Sequence, residues 1–262
     1  MLGYGSKADG TADTDLPIYE YVIENPITSS LGQNLVPDAP LVLLTSGIHS
    51  DEKTSMMALY NFVSSLFDSD NENALAIRSA LRFKIVPCIN PWGYDHTTDQ
   101  NEGRLNARGV NLNRNFSYRW SSYTGSDKGS APYSELETQA LKDWLDANTN
   151  ALFYLDCHNS AYAYPYLPSN VPNHKKLWCS TLRMLCNYLA TTYNLSYSNT
   201  SRITEANNIA GVAAEGYEVC GIDSGIIESP YGSGTVISTT KIKPESEIYG
   251  NFIIELIKNY RI

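Results

Sequence analysis

The sequence predicts an α/β protein, a three-layer α/β/α sandwich around a mixed, largely parallel twisted sheet. Three observations carry this. Short apolar runs of strand length alternate along the chain with longer stretches of helical apolar spacing. No internal repeat or low-complexity linker interrupts the alternation. Histidine or glutamate follows or closes several of the apolar runs, at the strand ends where open α/β sheets gather their functional groups.

Taken in order, residues 17–23 form the first strand-like run and residues 41–44, LVLL, the second. The second enters a glycine-containing turn, TSGIHSDE at 45–52, and a helix over 52–67. Its apolar residues Met56, Met57, Leu59, Tyr60, Val63, Leu66 and Phe67 make one wide stripe. Residues 81–89 give the next strand. The polar stretches 97–102 and 117–131 read as loops that rim a cleft. A helix over 134–147 follows, with Ser134 as its cap and Glu137 in the reciprocal capping position. Residues 151–156 and 225–228 are further strands. Residues 175–193, about 208–220 and 244–260 are helical, the last with Pro244 in its first turn. A chain of 262 residues can bury a sizeable core, and the reading is of one catalytic domain over 1–262.

Composition removes several functional classes. Hydrophobic content of 42% with 18% charged residues is that of a globular protein, not a disordered one. The formal net charge is −9 and no basic stripe is present, which argues against nucleic acid and against docking on anionic membranes. No apolar run approaches transmembrane length, and MLGYGSK lacks a charged-then-apolar leader pattern, so localisation stays open. The chain is compatible with a domain of a longer secreted or phage-borne protein. Five cysteines without a CxxC pair do not indicate a disulfide framework; Cys157 reads as a core residue, because strand alternation turns it away from its neighbour His158.

The chemistry begins with His49 and Glu52. An imidazole and a carboxylate three residues apart, after a strand and a tight turn, can reach one divalent ion, and this donor pair suits Zn²⁺. A hydrolytic zinc site needs a third protein ligand. His158, closing the strand segment LDCHN at 155–159, supplies a candidate, with Asp156 on the same face to orient its ring. Glu228, in GIIESP at 225–230, is a strand-end carboxylate among apolar residues, an environment that raises a carboxyl pKa towards the working range of a general base. Between these lie NPWG at 90–93 and RLNARGVNLNRNF at 104–116.

In this order the motifs resemble the zinc carboxypeptidase family, the funnel-type metallocarboxypeptidases. The resemblance runs from GSKADG at 5–10 and IYEY at 18–21 to Glu228 and the closing helix, and GVNLNRNF is its most specific piece. It implies a zinc-carboxypeptidase-like fold and one zinc per chain held by His49, Glu52 and His158. It implies Glu228 as the catalytic glutamate and Arg104 as the arginine that stabilises the oxyanion, with Arg108 as a less well placed rival. Asn113 and Arg114 match the pair that grips a substrate's free carboxylate. The implied reaction is hydrolysis of the amide next to that carboxylate, at the C-terminus of a peptide or within a bacterial cell-wall peptide.

Two departures stand out. Asn111 occupies a position where the family often has an aspartate that braces the first zinc histidine, and an amide weakens such a brace. No tyrosine stands where a substrate-closing tyrosine is expected: Ala206 is near that place, Tyr217 is too close to Glu228 and Tyr197 too far. The side-chain pocket is assigned to residues 211–215, and His96 and His174 are read as ordinary surface residues. A zinc-dependent N-acyl amino-acid deacylase and a non-catalytic binding module on the same fold are the rival functions. A peptide panel run against an acyl-amino-acid panel separates the first, and the intact set of reactive residues weighs against the second. The preferred side chain and the oligomeric state are not encoded legibly.

Overall fold

The computed structural model describes residues 1–24, 39–67, 72–97, 102–159, 164–167, 204–205, 222, 224–229 and 247. Strands β1 (Gly3–Ser6) and β2 (Ala12–Ile18) pair antiparallel as a separate hairpin. The main sheet holds β3 (Tyr21–Ile23), β4 (Leu41–Ser46), β5 (Arg82–Val86), β6 (Phe153–Asn159), β7 (Tyr164–Leu167), β8 (Thr204–Glu205) and β9 (Ser224–Ser229) in the order β3-β5-β4-β6-β9-β7-β8. β5, β4, β6 and β9 run parallel at its centre, while β3 and β7 pair antiparallel to that block. The sheet is therefore mixed with a parallel middle, as the sequence predicts.

Helices α1 (Lys53–Ser65) and α2 (Glu72–Ala80) cover one face. Ala58, Leu59, Phe62 and Ile77 pack there on Val42, Leu44, Phe83, Ile85, Leu155 and Cys157. On the other face, Leu141, Trp144 and Leu145 of α4 (Leu136–Asp146) join Leu41, Leu43, Val86 and Tyr154. The alternation along β4 and β6 explains the partition: successive side chains go to opposite helical layers. Such a strand is buried on both sides, and every residue of β4 and β6 is. Cys157 thus sits in the core and His158 on the opposite face, in agreement with the alternation argument.

Four local expectations need correction. The run 17–23 is not one strand: β2 ends at Ile18 and β3 begins at Tyr21. Pro17 lacks an N–H for a central ladder, and it lies in the peripheral hairpin. The strand read over 81–89 stops at Val86, ahead of Pro87. Ser134 does not cap α4. The cap position is Glu135, and Glu137 is drawn to β1, where Ser6 N donates to Oε1 at 2.8 Å and Ser6 Oγ to Oε2 at 2.7 Å. A helix absent from the sequence reading, α3 (Pro91–His96), has Asn90 as its cap, accepting from Gly93 N at 2.9 Å, and Pro91 in its first turn. The helices expected over 175–193 and 208–220 lie outside the described residues, as does that over 244–260 apart from the helical Glu247.

Candidate metal centre

Two neighbouring parallel strands, β4 and β6, deliver the site from their carboxyl ends. β4 leads into Gly47, whose φ of +67° suits a residue without a side chain, and a Cβ there would lie 3.0 Å from the Cys88 backbone. The turn then presents His49. Glu52 is the non-helical residue just before α1, so its carboxylate projects back from the helix start. β6 presents His158. All three side chains are buried.

Glu52 lies between the two rings. Its Oε1 is 3.0 Å from His49 Nδ1 and its Oε2 is 2.9 Å from His158 Nδ1. The other ring nitrogens are engaged by acceptors: His49 Nε2 donates to Asn111 Oδ1 at 3.0 Å, and His158 Nε2 to Asp156 Oδ2 at 2.9 Å. Thr45 Oγ1 holds the second oxygen of Asp156 at 2.7 Å. With both Nε2 protons so used, a neutral ring would offer an Nδ1 lone pair to a carboxylate that also has only lone pairs. A proton on Nδ1 resolves this at His158, and a cation shared by the three residues would resolve it at both rings. One potential ligand atom from each of the three residues lies within 4.8 Å of the others, so a single ion can be shared by all. Imidazole nitrogen and carboxylate oxygen, braced from behind by an acceptor on each ring, are the donor set and outer support of a zinc site.

Burial acts to raise the Glu52 carboxyl pKa, but the two imidazoles outweigh it and hold the group well below the usual carboxylate range. Burial also acts against the charged form of His158, yet Asp156 and then Glu52 raise its pKa well above the ordinary value. His49, braced by an amide and not a carboxylate, is lowered by burial against the opposing charge of Glu52. Asp51 is buried, and neither carboxylate oxygen has a hydrogen-bond partner; burial and the Glu52 charge raise its pKa.

The motif segments converge on this centre. Asn90 Nδ2 donates to Leu105 O at 3.0 Å and to Gly103 O at 3.4 Å, gripping the backbone on both sides of Arg104. Ser50 N donates to the same Gly103 carbonyl at 2.9 Å. Arg104 then reaches Glu52 Oε1 at 3.4 Å. Its rival Arg108 is turned away, donating to Glu135 Oε1 at 3.1 Å. Asn113 is buried in a 3-10 turn, Leu112–Arg114, and Arg114 donates to the Asn113 carbonyl at 2.6 Å. Asn159 was not singled out by sequence. It donates its N–H to Glu52 Oε2 at 3.0 Å and accepts from Ser55 N at 2.6 Å, locking Glu52 to the start of α1. Its position directly after His158 was the available signal.

The sequence profile described as zinc carboxypeptidase matches residues 19–233. The chain belongs to the zinc carboxypeptidase family. Carboxypeptidase B of Astacus astacus is 29% identical over 147 residues, 49% of this chain and 48% of that protein. Mast cell carboxypeptidase A of Rattus norvegicus is 26% identical over 179 residues, 60% of this chain and 43% of that protein. The chain spans about half the length, or less, of these curated relatives. The crystal structure of thrombin activatable fibrinolysis inhibitor superposes with a TM-score of 0.73 at 20% identity, covering 98% of this chain and 69% of that one, which establishes the shared fold.

The zinc carboxypeptidase family is zinc-dependent, and His49, Glu52 and His158 form its candidate triad in this chain. Glu228 lies in β9 directly opposite His158 in the β6–β9 register, which sets its backbone at the site's edge. Residues 211–215, His174, Tyr197, Ala206 and Tyr217 lie outside the described residues.

The Asn111 contact gives a measurable expectation. Asn111→Asp replaces a neutral acceptor on His49 Nε2 with a charged one and raises ligand basicity. Zinc affinity, measured by chelator competition, is expected to rise about tenfold, the lower end of such outer-contact effects. Unchanged or weaker affinity would show that this brace does not limit the site.

Proposed function

We propose that this chain is a zinc-dependent carboxypeptidase that hydrolyses the amide bond next to a free carboxylate at the end of a peptide, with residues 1–262 as its catalytic domain. The observation that supports this most is the contact of Arg104 with Glu52 of the His49–Glu52–His158 centre, with Arg114 farther along the same motif segment. Burial lowers the Arg114 pKa, and the positive charge of Arg104 adds to that effect while Tyr123 and Asp127 oppose it. One guanidinium at the metal centre and a second on the same segment suit an anionic ligand.

When bound, zinc supplies Lewis acidity, acidifying water and polarising the scissile carbonyl. Glu228 takes the proton as water attacks and returns it to the leaving amine. Arg104 hydrogen-bonds the carbonyl oxygen as its charge grows. Asn113 and Arg114 hold the substrate's free carboxylate, which fixes the register of the chain so that the terminal amide is the one cleaved. The same grip suits the diamino-acid carboxylate of a bacterial cell-wall peptide, so muropeptides form a second arm of any substrate assay. Among the described residues no helix is long and apolar enough to cross a membrane.

Arg114→Ala tests this reading. Loss of a bidentate charged contact is expected to cost about 2–4 kcal/mol, roughly thirty- to a thousandfold in kcat/KM, on free-acid peptides and little on their amides. Zinc content should not change. If the wild type cleaves free and amidated peptides equally well, Asn113 and Arg114 are structural and the exopeptidase reading fails.

A further inference from the structure

We propose that Tyr123 is a positioning residue: its ring, held in place by Asp127, fixes the plane of the Arg114 guanidinium for the substrate carboxylate. This rests on the carboxylate-binding reading of Arg114 given above. Four observations carry it. The Arg114 guanidinium carbon lies over the Tyr123 ring, 5.4 Å from its centre. The Tyr123 hydroxyl donates to Asp127 Oδ1 at 2.9 Å. The Asp127 carbonyl accepts from Asn111 N at 2.7 Å. Asn111 in turn braces the metal-site ring of His49.

The loop between Phe116 and α4 thus touches both halves of the site. The loop is itself tied down. Lys128 donates to the carbonyls of Tyr123 at 2.6 Å and Trp120 at 3.2 Å, and Asn115 Nδ2 donates to Lys128 O at 2.8 Å. Tyr123 is therefore presented by a fixed turn and not by a free loop tip.

The physical need is clear. An arginine has several rotatable bonds, and bidentate recognition of a carboxylate requires its planar fork to face one way. One edge of Arg114 is taken by the Asn113 carbonyl. The tyrosine ring covers one face, favourably for a cation. Together they leave the remaining N–H groups in a set direction. No sequence motif marks Tyr123, because its role comes from a stack across nine residues of loop, not from a pattern.

The test uses the zinc-loaded full chain and matched free-acid and amidated peptides. Tyr123→Leu is expected to raise KM for the free-acid peptide about tenfold, on the scale of a lost cation–aromatic contact with part of the orienting effect. kcat/KM for the amide should stay within about twofold of wild type, because the amide does not use the bidentate grip. Tyr123→Phe keeps the ring but loses the hydroxyl's bonds to Asp127 and Arg114, and should restore only part of the affinity. Adding Tyr123→Leu to Arg114→Ala should change nothing further. Equal losses on both peptides, a Phe variant as impaired as Leu, or an undiminished Leu effect in the Arg114→Ala background would overturn the proposal. If Arg114→Ala lowers the free-acid preference and Tyr123→Leu does not, this proposal alone fails. If Arg114→Ala leaves that preference intact, the carboxylate reading itself fails.

Discussion

His158→Ala is expected to strip the protein of zinc. The wild type should bind close to one equivalent, and the variant none after dialysis against a chelator. His158 holds one oxygen of Glu52 while His49 holds the other, so its loss leaves two ligands and an unbalanced carboxylate in a buried site. Two ligands do not complete a stable zinc centre. Asp156, buried and facing the missing ring, would also lose the partner it now holds at 2.9 Å. Elemental analysis of wild type and variant decides the point. A variant that retains close to a full equivalent would move the metal elsewhere in the chain.

Glu228→Gln is expected to lower kcat by at least about a hundredfold while leaving zinc content and KM close to wild type. The substitution keeps size and hydrogen-bonding capacity but removes the base. The expectation rests on the family's catalytic glutamate and on the register that sets Glu228 opposite His158 at the end of β9. Steady-state kinetics on a zinc-loaded protein measures it. Turnover near wild type would assign the proton transfer to another group.

Much of this architecture was legible in the sequence because burial on both faces leaves a strong mark. β4 and β6 are apolar runs that end in the residues of the site, and a glycine punctuates the first of them. What escaped has identifiable causes. α3 is six residues long, too short for a helical period, although Asn90-Pro91 announces its start. α2 carries its apolar residues over only nine positions. The supposed capping role of Glu137 failed because a partner distant in sequence, Ser6, satisfies both of its oxygens; local pattern cannot see a tertiary competitor. The choice between Arg104 and Arg108 rested on motif offset alone. In the fold Asn90 clamps the backbone beside Arg104, whose side chain reaches Glu52, while Glu135 holds Arg108.

Asn159 and Tyr123 show a further limit. Each acts by touching a residue that the motif does name: Asn159 touches Glu52, and Tyr123 touches Arg114. Spacing in the chain carries the ligands of a site, because strand ends and turns fix them. The groups that orient those ligands come from whatever packs nearby, and only the fold reveals them.

The most direct test is mass spectrometry of the zinc-loaded chain incubated with a mixture of peptides, each present as a free acid and as its C-terminal amide. Removal of one residue at a time from the C-terminal end of the free acids, with the amides left intact and with no products after zinc is removed, is the predicted result. Internal cleavage of both forms, or no cleavage by a fully zinc-loaded protein of either peptides or muropeptides, would contradict the assignment.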